Sequence, residues 1–362
     1  MEPKEQAYYP PPESEGGWRY LSGPDEIRDL AGMDPEKLER VQRRQDILYG
    51  SDAWAIIIIR HGYLVREFAT FSVHASTRFD IWSGTKSFSG TAWGLLLEDS
   101  QRNRLPKGQQ VDLDSRAYSF IPEGYPLSDP RKEEITIRHL LTMTSGIPGE
   151  ILGLFGTPTQ PGQGPFEHAL GRSPNRYGKW ADILSAEPGA QWDYSDPAFA
   201  HLSLAFANIT GQDMGEYLGE RVFKPIGIER LSWDILGGGG FIGPHTNPFT
   251  GIHISARELA RFGYLMLHHG WWNGAELIPR WWLDLATTSS QDFNPFYGYT
   301  WWVNTDRAYW PGLPRDTFAL MGFRSSKCYI APSLDLVVAR VGSGPATWDE
   351  SLLIGGIADA IL

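Results

Sequence analysis

Between residues 79 and 98, the chain reads FDIWSGTKSFSGTAWGLLLE, and its hydrophobic pattern changes period partway through. A short strand-like run of Phe79, Ile81 and Trp82 gives way at Ser83 to a helical pattern. There Phe88, Ala92, Leu95 and Leu96 fall on one helix face. Other stretches are equally legible. Asp34 as N-cap, Pro35 at the first helical position and an apolar stripe of Leu38, Val41, Ile47 and Leu48 predict a helix over 35–48. A β-branched run at 53–60, a His61-Gly62 turn and an alternating run at 63–71 predict a buried hairpin. Proline-rich polar chain fills 99–134, and a short helix over 135–144 ends at Ser145-Gly146. Residues 146–180 carry many Gly and Pro with little periodicity; such a loop is either a pocket wall or a surface excursion. Helices are expected at 197–210, 214–222, 256–269 and 281–286, with a flexible glycine turn at 237–240. Strands are expected at 299–303, 317–322, 327–331 and 336–341, followed by a closing helix over 349–361.

Strands at both ends and helices between them predict an α/β (α+β) fold. One antiparallel sheet is built from both termini and flanked by terminal helices, with a mostly helical region inserted. In domain terms, 1–33 is an irregular leading segment, 34–82 and 297–362 form the sheet domain, and 83–296 form the helical domain.

Composition narrows the function. A net charge of −11 with no basic stripe argues against nucleic acid or an anionic membrane as partner. No apolar run reaches the roughly 18 residues a membrane span needs. The one cysteine, Cys328, allows no internal disulfide. The first residues lack the basic-then-apolar layout of a secretion signal, which leaves a cytoplasmic protein or an exported one with its signal trimmed. The 15 Trp are frequent enough to suggest an aromatic-lined pocket beside their core roles.

The candidate chemistry starts at Ser83. Lys86 lies three residues on, and on a helix the two side chains share one face. Backbone N–H groups at the helix start point toward the same place. This is the Ser-x-x-Lys pattern of a serine nucleophile with a lysine beside it. Taken alone, the pair also reads as a helix cap and a solvated first-turn lysine, although a cation is disfavoured at a helix N-terminus. No G-x-S-x-G, H-E-x-x-H, phosphate-binding glycine loop or Cys-x-x-Cys is present. His268 and His269 are adjacent and diverge by about 100° on a helix, which argues against a metal there. His139 reads as a structural histidine on an apolar helix.

A family resemblance rests on motifs in order. After Ser83-Gly84-Thr85-Lys86 come Val111-Asp112-Leu113-Asp114, Ile121-Pro122-Glu123-Gly124, and Ile135-Thr136-Ile137-Arg138-His139-Leu140-Leu141-Thr142-Met143-Thr144-Ser145-Gly146. Then follow Glu187-Pro188-Gly189, Tyr194-Ser195-Asp196, Ile209-Thr210-Gly211, Phe223-Lys224-Pro225-Ile226-Gly227 and Tyr297-Gly298-Tyr299-Thr300-Trp301-Trp302. Over roughly 33–361 the chain resembles the serine β-lactamase-like superfamily, in its class C β-lactamase-like and family VIII carboxylesterase branch. The resemblance implies a β-lactamase/transpeptidase-like fold, Ser83 as nucleophile, Lys86 and Tyr194 as proton handlers, and a covalent acyl-enzyme. It implies no metal and no organic cofactor.

Two departures follow from the same match. The second motif usually reads Tyr-x-Asn, and here Asp196 takes the third place. An ionised Asp accepts but cannot donate. It either pairs with Lys86 or caps the helix that follows. The third motif, usually Lys-Thr-Gly or His-x-Gly, falls on Phe323-Arg324-Ser325. Its loss of a basic group and glycine puts β-lactam recognition in question, while backbone donors survive side-chain change. The expected oxyanion amides are those of Ser83 and Ser326. Asp196, Phe323, Arg324, Ser325, Trp302 and Glu150 are the candidate substrate-binding residues. Arg324 either reaches the cleft or points outward as an edge charge. Glu150 either faces substrate or is a solvated loop acid. The expected partner is a small-molecule ester or amide, with a carboxylesterase first and a β-lactamase, D-amino-acid peptidase or amidase next. A catalytically weak binding protein on the same fold is the reading from another class.

Overall fold

Ile56, Ile57, Ile58 and Ile59 lie consecutively in the strand Trp54–Arg60, and all four are fully buried. Side chains alternate faces along a strand, so burial of consecutive positions needs cover on both sides. Ile57, Ile59 and Leu64 join one core with Phe88, Leu259 and Phe262. Ile56, Ile58 and Val65 join another with Leu38, Val41, Leu353 and Ile357 from the terminal helical segments. The computed structural model describes residues 8–149, 164–237, 240–344 and 349–362.

The strand belongs to a six-stranded antiparallel sheet in the order Trp302–Val303, Phe318–Met321, Lys327–Ala331, Leu336–Gly342, Trp54–Arg60, Tyr63–Ala69. Ile57 opposite Ala339 sets the register that joins the two ends of the chain. This is the mixed α/β architecture the sequence predicts, with strands from both termini in one sheet. Helix Ala256–Leu267, expected within the helical region, packs against the sheet instead, on Trp54–Arg60, Lys327–Ala331 and Leu336–Gly342. Helix Thr85–Gln101 is buried along nearly its whole length, from Thr85 to Ser100. A helix buried on all sides forms the centre of a core, so its N-terminal turn is held without freedom to shift.

The leading segment corrects the sequence reading. It is not irregular over 1–33: Pro24–Ala31 is a helix, with Glu26 accepting from the Ser22 and Gly23 amides and Gly32 closing it at φ 56°. Ile27 and Ala31 are fully buried. Upstream, the Pro10 and Pro11 carbonyls accept from the buried Arg261 guanidinium. Tertiary partners order a stretch whose composition alone lacks a helical signal. Helix Pro35–Tyr49 starts as expected, with Asp34 accepting from the Glu36 and Lys37 amides. Its stripe differs, because Ile47 is 83% exposed while Leu38, Val41, Gln45 and Tyr49 face inward. The closing helix is shorter and looser than 349–361, with a π-helical turn Ser351–Gly355 running into Gly356–Ala358.

One buried charge lies away from the sheet. Lys132 is fully buried and donates to the carbonyls of Leu170 (3.3 Å) and Ala181 (3.0 Å). Burial penalises its ammonium and moves its pKa from 10.5 down to about 8. A base with a depressed folded-state pKa holds fewer protons than the unfolded chain, so its contribution to stability rises with pH between those two values. Burial also raises tyrosines such as Tyr217 and Tyr264, which oppose this above pH 9 or so. The comparison with a variant cancels them. Denaturant unfolding of the wild type and of Lys132→Met is expected to show their difference moving toward the wild type by about 1–2 kcal/mol from about pH 7.5 to about pH 9.5. A difference independent of pH would mean that Lys132 is charged across that range.

Candidate active site

Ser83 sits in a 3-10 turn, Trp82–Gly84, that runs directly into helix Thr85–Gln101. The turn follows the two-residue strand Phe79–Asp80, which pairs with Ile252–Ile254. The Asp80 carboxylate accepts from the Trp82 amide (2.7 Å) and the Gly251 amide (3.2 Å). Thr85 accepts from the Ile252 amide (3.2 Å). Trp82 adopts φ 53°, a left-handed conformation that costs a non-glycine residue about 1–2 kcal/mol. The Asp80 contacts hold that strained residue and present Ser83, half-buried, at the mouth of the turn.

Lys86 is 1% exposed and reaches three oxygens: Ser83 Oγ (3.3 Å), the Phe249 carbonyl (3.2 Å) and Asp196 Oδ1 (2.7 Å). Ser83 Oγ and the Phe249 carbonyl accept hydrogen bonds from the ammonium, and the Asp196 carboxylate pairs with it as a close counter-charge. Its nitrogen also stands 4.7 Å from the centroid of the Tyr194 ring. The structure therefore gathers Ser83, Lys86, Tyr194 and Asp196 around one buried nitrogen. It also decides between the two readings of Asp196. Ser195, not Asp196, caps helix Asp196–Thr210 by accepting from the Ala198 amide, and Asp196 pairs with Lys86.

Tyr194 is positioned by its neighbours in sequence. The Asp193 amide donates to the Met143 carbonyl (2.9 Å), and the Ser195 hydroxyl donates to the Pro148 carbonyl (3.1 Å). The Thr144-Ser145-Gly146 segment thus lies against the Tyr194 segment. Tyr194 stacks on Trp302 at 6.5 Å and meets Trp192 and Tyr297 at 6.1 and 6.3 Å. Burial holds the Tyr297 hydroxyl far above the ordinary tyrosine range, so it stays a neutral phenol in this wall. Trp302 is thus half-buried against the Tyr194 ring. Glu150 lies outside the described residues, as do 151–163 of the expected loop.

The third-motif segment differs from its expected form. Phe323–Ser325 is not a strand but a 3-10 turn between Phe318–Met321 and Lys327–Ala331, with Arg324 at φ 53° and Ser325 at φ 64°. Strand alternation therefore does not separate Phe323 from Arg324. Phe323 meets Trp82 edge to face at 5.6 Å, and the Arg324 guanidinium lies 5.9 Å from the Trp82 ring centroid. Both are exposed, whereas Ser325 is buried behind the turn and does not line it. The Ser326 amide is also misassigned by the sequence. It closes the turn by donating to the Phe323 carbonyl (3.4 Å). The Gly322 amide donates to the Ser326 carbonyl (2.7 Å), toward the neighbouring strand. Gly322 is extended, and successive amides of extended chain point to opposite edges. The Phe323 amide therefore points away from that strand. Gly322 itself lies against the nucleophile turn, where a Cβ would collide with the Ile81 carbonyl oxygen.

Several residues of this site carry no signal in the sequence. Asp80 acts through a carboxylate that caps two backbone amides, Trp82 through its left-handed backbone, and Phe249 through its carbonyl. Arg340 is fully buried and donates to the carbonyls of Arg324 (3.2 Å), Ser325 (2.9 Å) and Ser343 (2.8 Å). Among the described residues, no group of three or more His, Cys, Asp or Glu could hold a metal, and no helix is long and apolar enough to cross a membrane.

A serine in the turn that opens a buried helix, a lysine on that helix's first turn and an antiparallel sheet built from both termini are the features of the β-lactamase-like class. The chain belongs to the Beta-lactamase family, whose model matches residues 49–360. A Bacillus anthracis structure provisionally assigned as a 6-aminohexanoate-dimer hydrolase superposes with TM-score 0.68 at 19% identity, covering 97% of this chain and 88% of that one. EstCE1, a hydrolase with promiscuous acyltransferase activity, superposes with TM-score 0.67 at 16% identity, covering 90% of this chain and 97% of that one. Protein flp of Staphylococcus aureus (strain MW2) is 27% identical over 163 residues, 44% of this chain. That match spans 28% of the length of flp.

Proposed function

We propose that the protein is a carboxylesterase that cleaves a small-molecule ester through an acyl-enzyme on Ser83. The observation that carries this reading is Lys86 between Ser83 and Asp196. Ser83 Oγ attacks the ester carbonyl, and its proton passes to Tyr194, which takes it as a phenolate beside the Lys86 ammonium. The carbonyl oxygen becomes an oxyanion, held by the backbone amides of Ser83 and Phe323. Collapse of the tetrahedral intermediate breaks the bond to the leaving oxygen, which takes the proton back from Tyr194 and departs as the alcohol, leaving Tyr194 again as the phenolate. Water, activated by the same Tyr194–Lys86 pair, then attacks the acyl carbon and releases the acid and Ser83.

The Asp196 ion pair supports ester over amide. An amine leaving group must be protonated before it departs, while an activated alcohol leaves with less help. Lys86, donating to Ser83 and the Phe249 carbonyl and charge-paired with Asp196, has little freedom to deliver a proton. The test compares p-nitrophenyl butyrate with its matched anilide and with nitrocefin, a β-lactam and therefore also an amide. Turnover of the ester is expected to exceed both by about 100-fold or more in kcat/KM. Comparable turnover of nitrocefin would replace the esterase reading with a β-lactamase one. The absence of covalent turnover on all three would favour a binding protein on the same fold.

A further inference from the structure

The turn beside the nucleophile holds a cation whose geometry is unusually constrained. Arg324 and Ser325 are consecutive non-glycine residues in the left-handed region. Such residues persist only where their surroundings over-determine them. The surroundings here are explicit. The buried Arg340 guanidinium donates to the carbonyls of both residues, and the Gly322 amide and Ser326 carbonyl close the turn below them. The backbone of Arg324 is thereby held next to Trp82, the residue immediately before Ser83, with the guanidinium 5.9 Å from the indole centroid. A neighbouring ring restrains a flexible guanidinium and leaves its N–H edge open.

That edge has no acidic partner among the described residues. Asp and Glu take up many of the other arginines, as in Arg138–Asp114, Arg221–Asp99 and Arg257–Glu67, yet no such pair includes Arg324. In a chain of net charge −11, Arg324 stands exposed beside the nucleophile turn with no acidic partner among the described residues. A planar guanidinium fork matches a carboxylate in bidentate fashion.

We propose that Arg324 binds a carboxylate on the substrate, so that the enzyme selects esters carrying a negative charge. The proposal rests on the esterase reading for its reaction, but its binding step stands apart from the chemistry and is tested apart from it. The probe is a pair of esters matched in length, mono-p-nitrophenyl glutarate and p-nitrophenyl valerate. A second pair carries the carboxylate on the leaving group, 3-carboxy-4-nitrophenyl butyrate against 4-nitrophenyl butyrate. Binding is measured on the Ser83→Ala protein by its tryptophan fluorescence, so that no turnover intervenes.

In at least one pair the carboxylate ester is expected to bind about tenfold tighter than its neutral partner, less so as salt is raised. In the Ser83→Ala, Arg324→Ala protein that ratio falls to near one, and Arg324→Lys restores only part of it because an ammonium lacks the fork. In the wild-type enzyme, the preference in kcat/KM for the same pair falls by a similar factor on Arg324→Ala. The pair that responds identifies the side of the ester on which the carboxylate sits. Equal binding of charged and neutral partners in both pairs, or a preference that survives Arg324→Ala, overturns the proposal. Failure of the wild type to turn over any ester, with the binding ratio intact, overturns the esterase reading and leaves the carboxylate site standing.

Discussion

Ser83→Ala is expected to lower kcat/KM on p-nitrophenyl butyrate by about 10⁴-fold or more. The residual rate would come from binding and the oxyanion amides alone. The hydroxyl is the only group removed, and among the described residues its one hydrogen bond is with Lys86. Ser83 is half-buried, so the change leaves no sealed cavity. Stability is expected to stay within about 1 kcal/mol of the wild type, because a single neutral hydrogen bond is worth about that much. Thermal unfolding beside the kinetics separates loss of chemistry from loss of fold. A variant that keeps the wild-type rate would remove Ser83 from the reaction.

The second large effect concerns the pair Lys86 and Asp196. Lys86→Met keeps much of the side-chain volume but removes the cation between Ser83 and Tyr194. Loss of a group that moves or orients a proton typically costs about 10²–10⁴ in rate, and about 10³-fold is expected here. The variant also leaves Asp196 without its partner. Breaking a buried ion pair from one side costs about 3–5 kcal/mol, and the partial exposure of Asp196 puts the expected loss near the lower figure. Asp196→Asn is expected to be milder, about 10- to 100-fold in kcat, because the amide oxygen still accepts from Lys86 while the charge is gone. If Asp196 works through Lys86, the two changes are not additive. The double variant should then be as slow as Lys86→Met and more stable than it, since it no longer buries an unpaired carboxylate. A double variant slower by the product of the two effects would give Asp196 a separate contact with the substrate.

How much of this was legible in the sequence depends on what each feature is made of. Patterned burial was readable. The isoleucine run and the His61-Gly62 turn announced the hairpin, and helix-spaced apolar residues announced Thr85–Gln101 and Ala256–Leu267. Ser83 and Lys86 were readable because three residues on a helix bring two side chains together. Features made by tertiary partners were not. Arg261 orders the Pro10-Pro11 stretch from about 250 positions away in the chain, where local composition suggests only a loop. The turn at Phe323–Ser325 has no glycine or asparagine to mark its left-handed residues, since Arg340 supplies the stabilisation that such residues would otherwise provide. A count along a strand therefore lands on Ser326, whose amide closes the turn onto the Phe323 carbonyl. The position of Asp196 was an open choice until the cap was seen to belong to Ser195, one residue earlier.

The central claim is that Ser83 forms the covalent bond. Intact-mass measurement after treatment with a fluorophosphonate probe tests it directly, because the probe traps a serine only where a base and oxyanion donors activate it. One adduct per chain is expected, mapped to the peptide that contains Ser83 and lost in Ser83→Ala. Labelling that persists unchanged in Ser83→Ala, or a wild-type protein that takes up no probe at all, would contradict it.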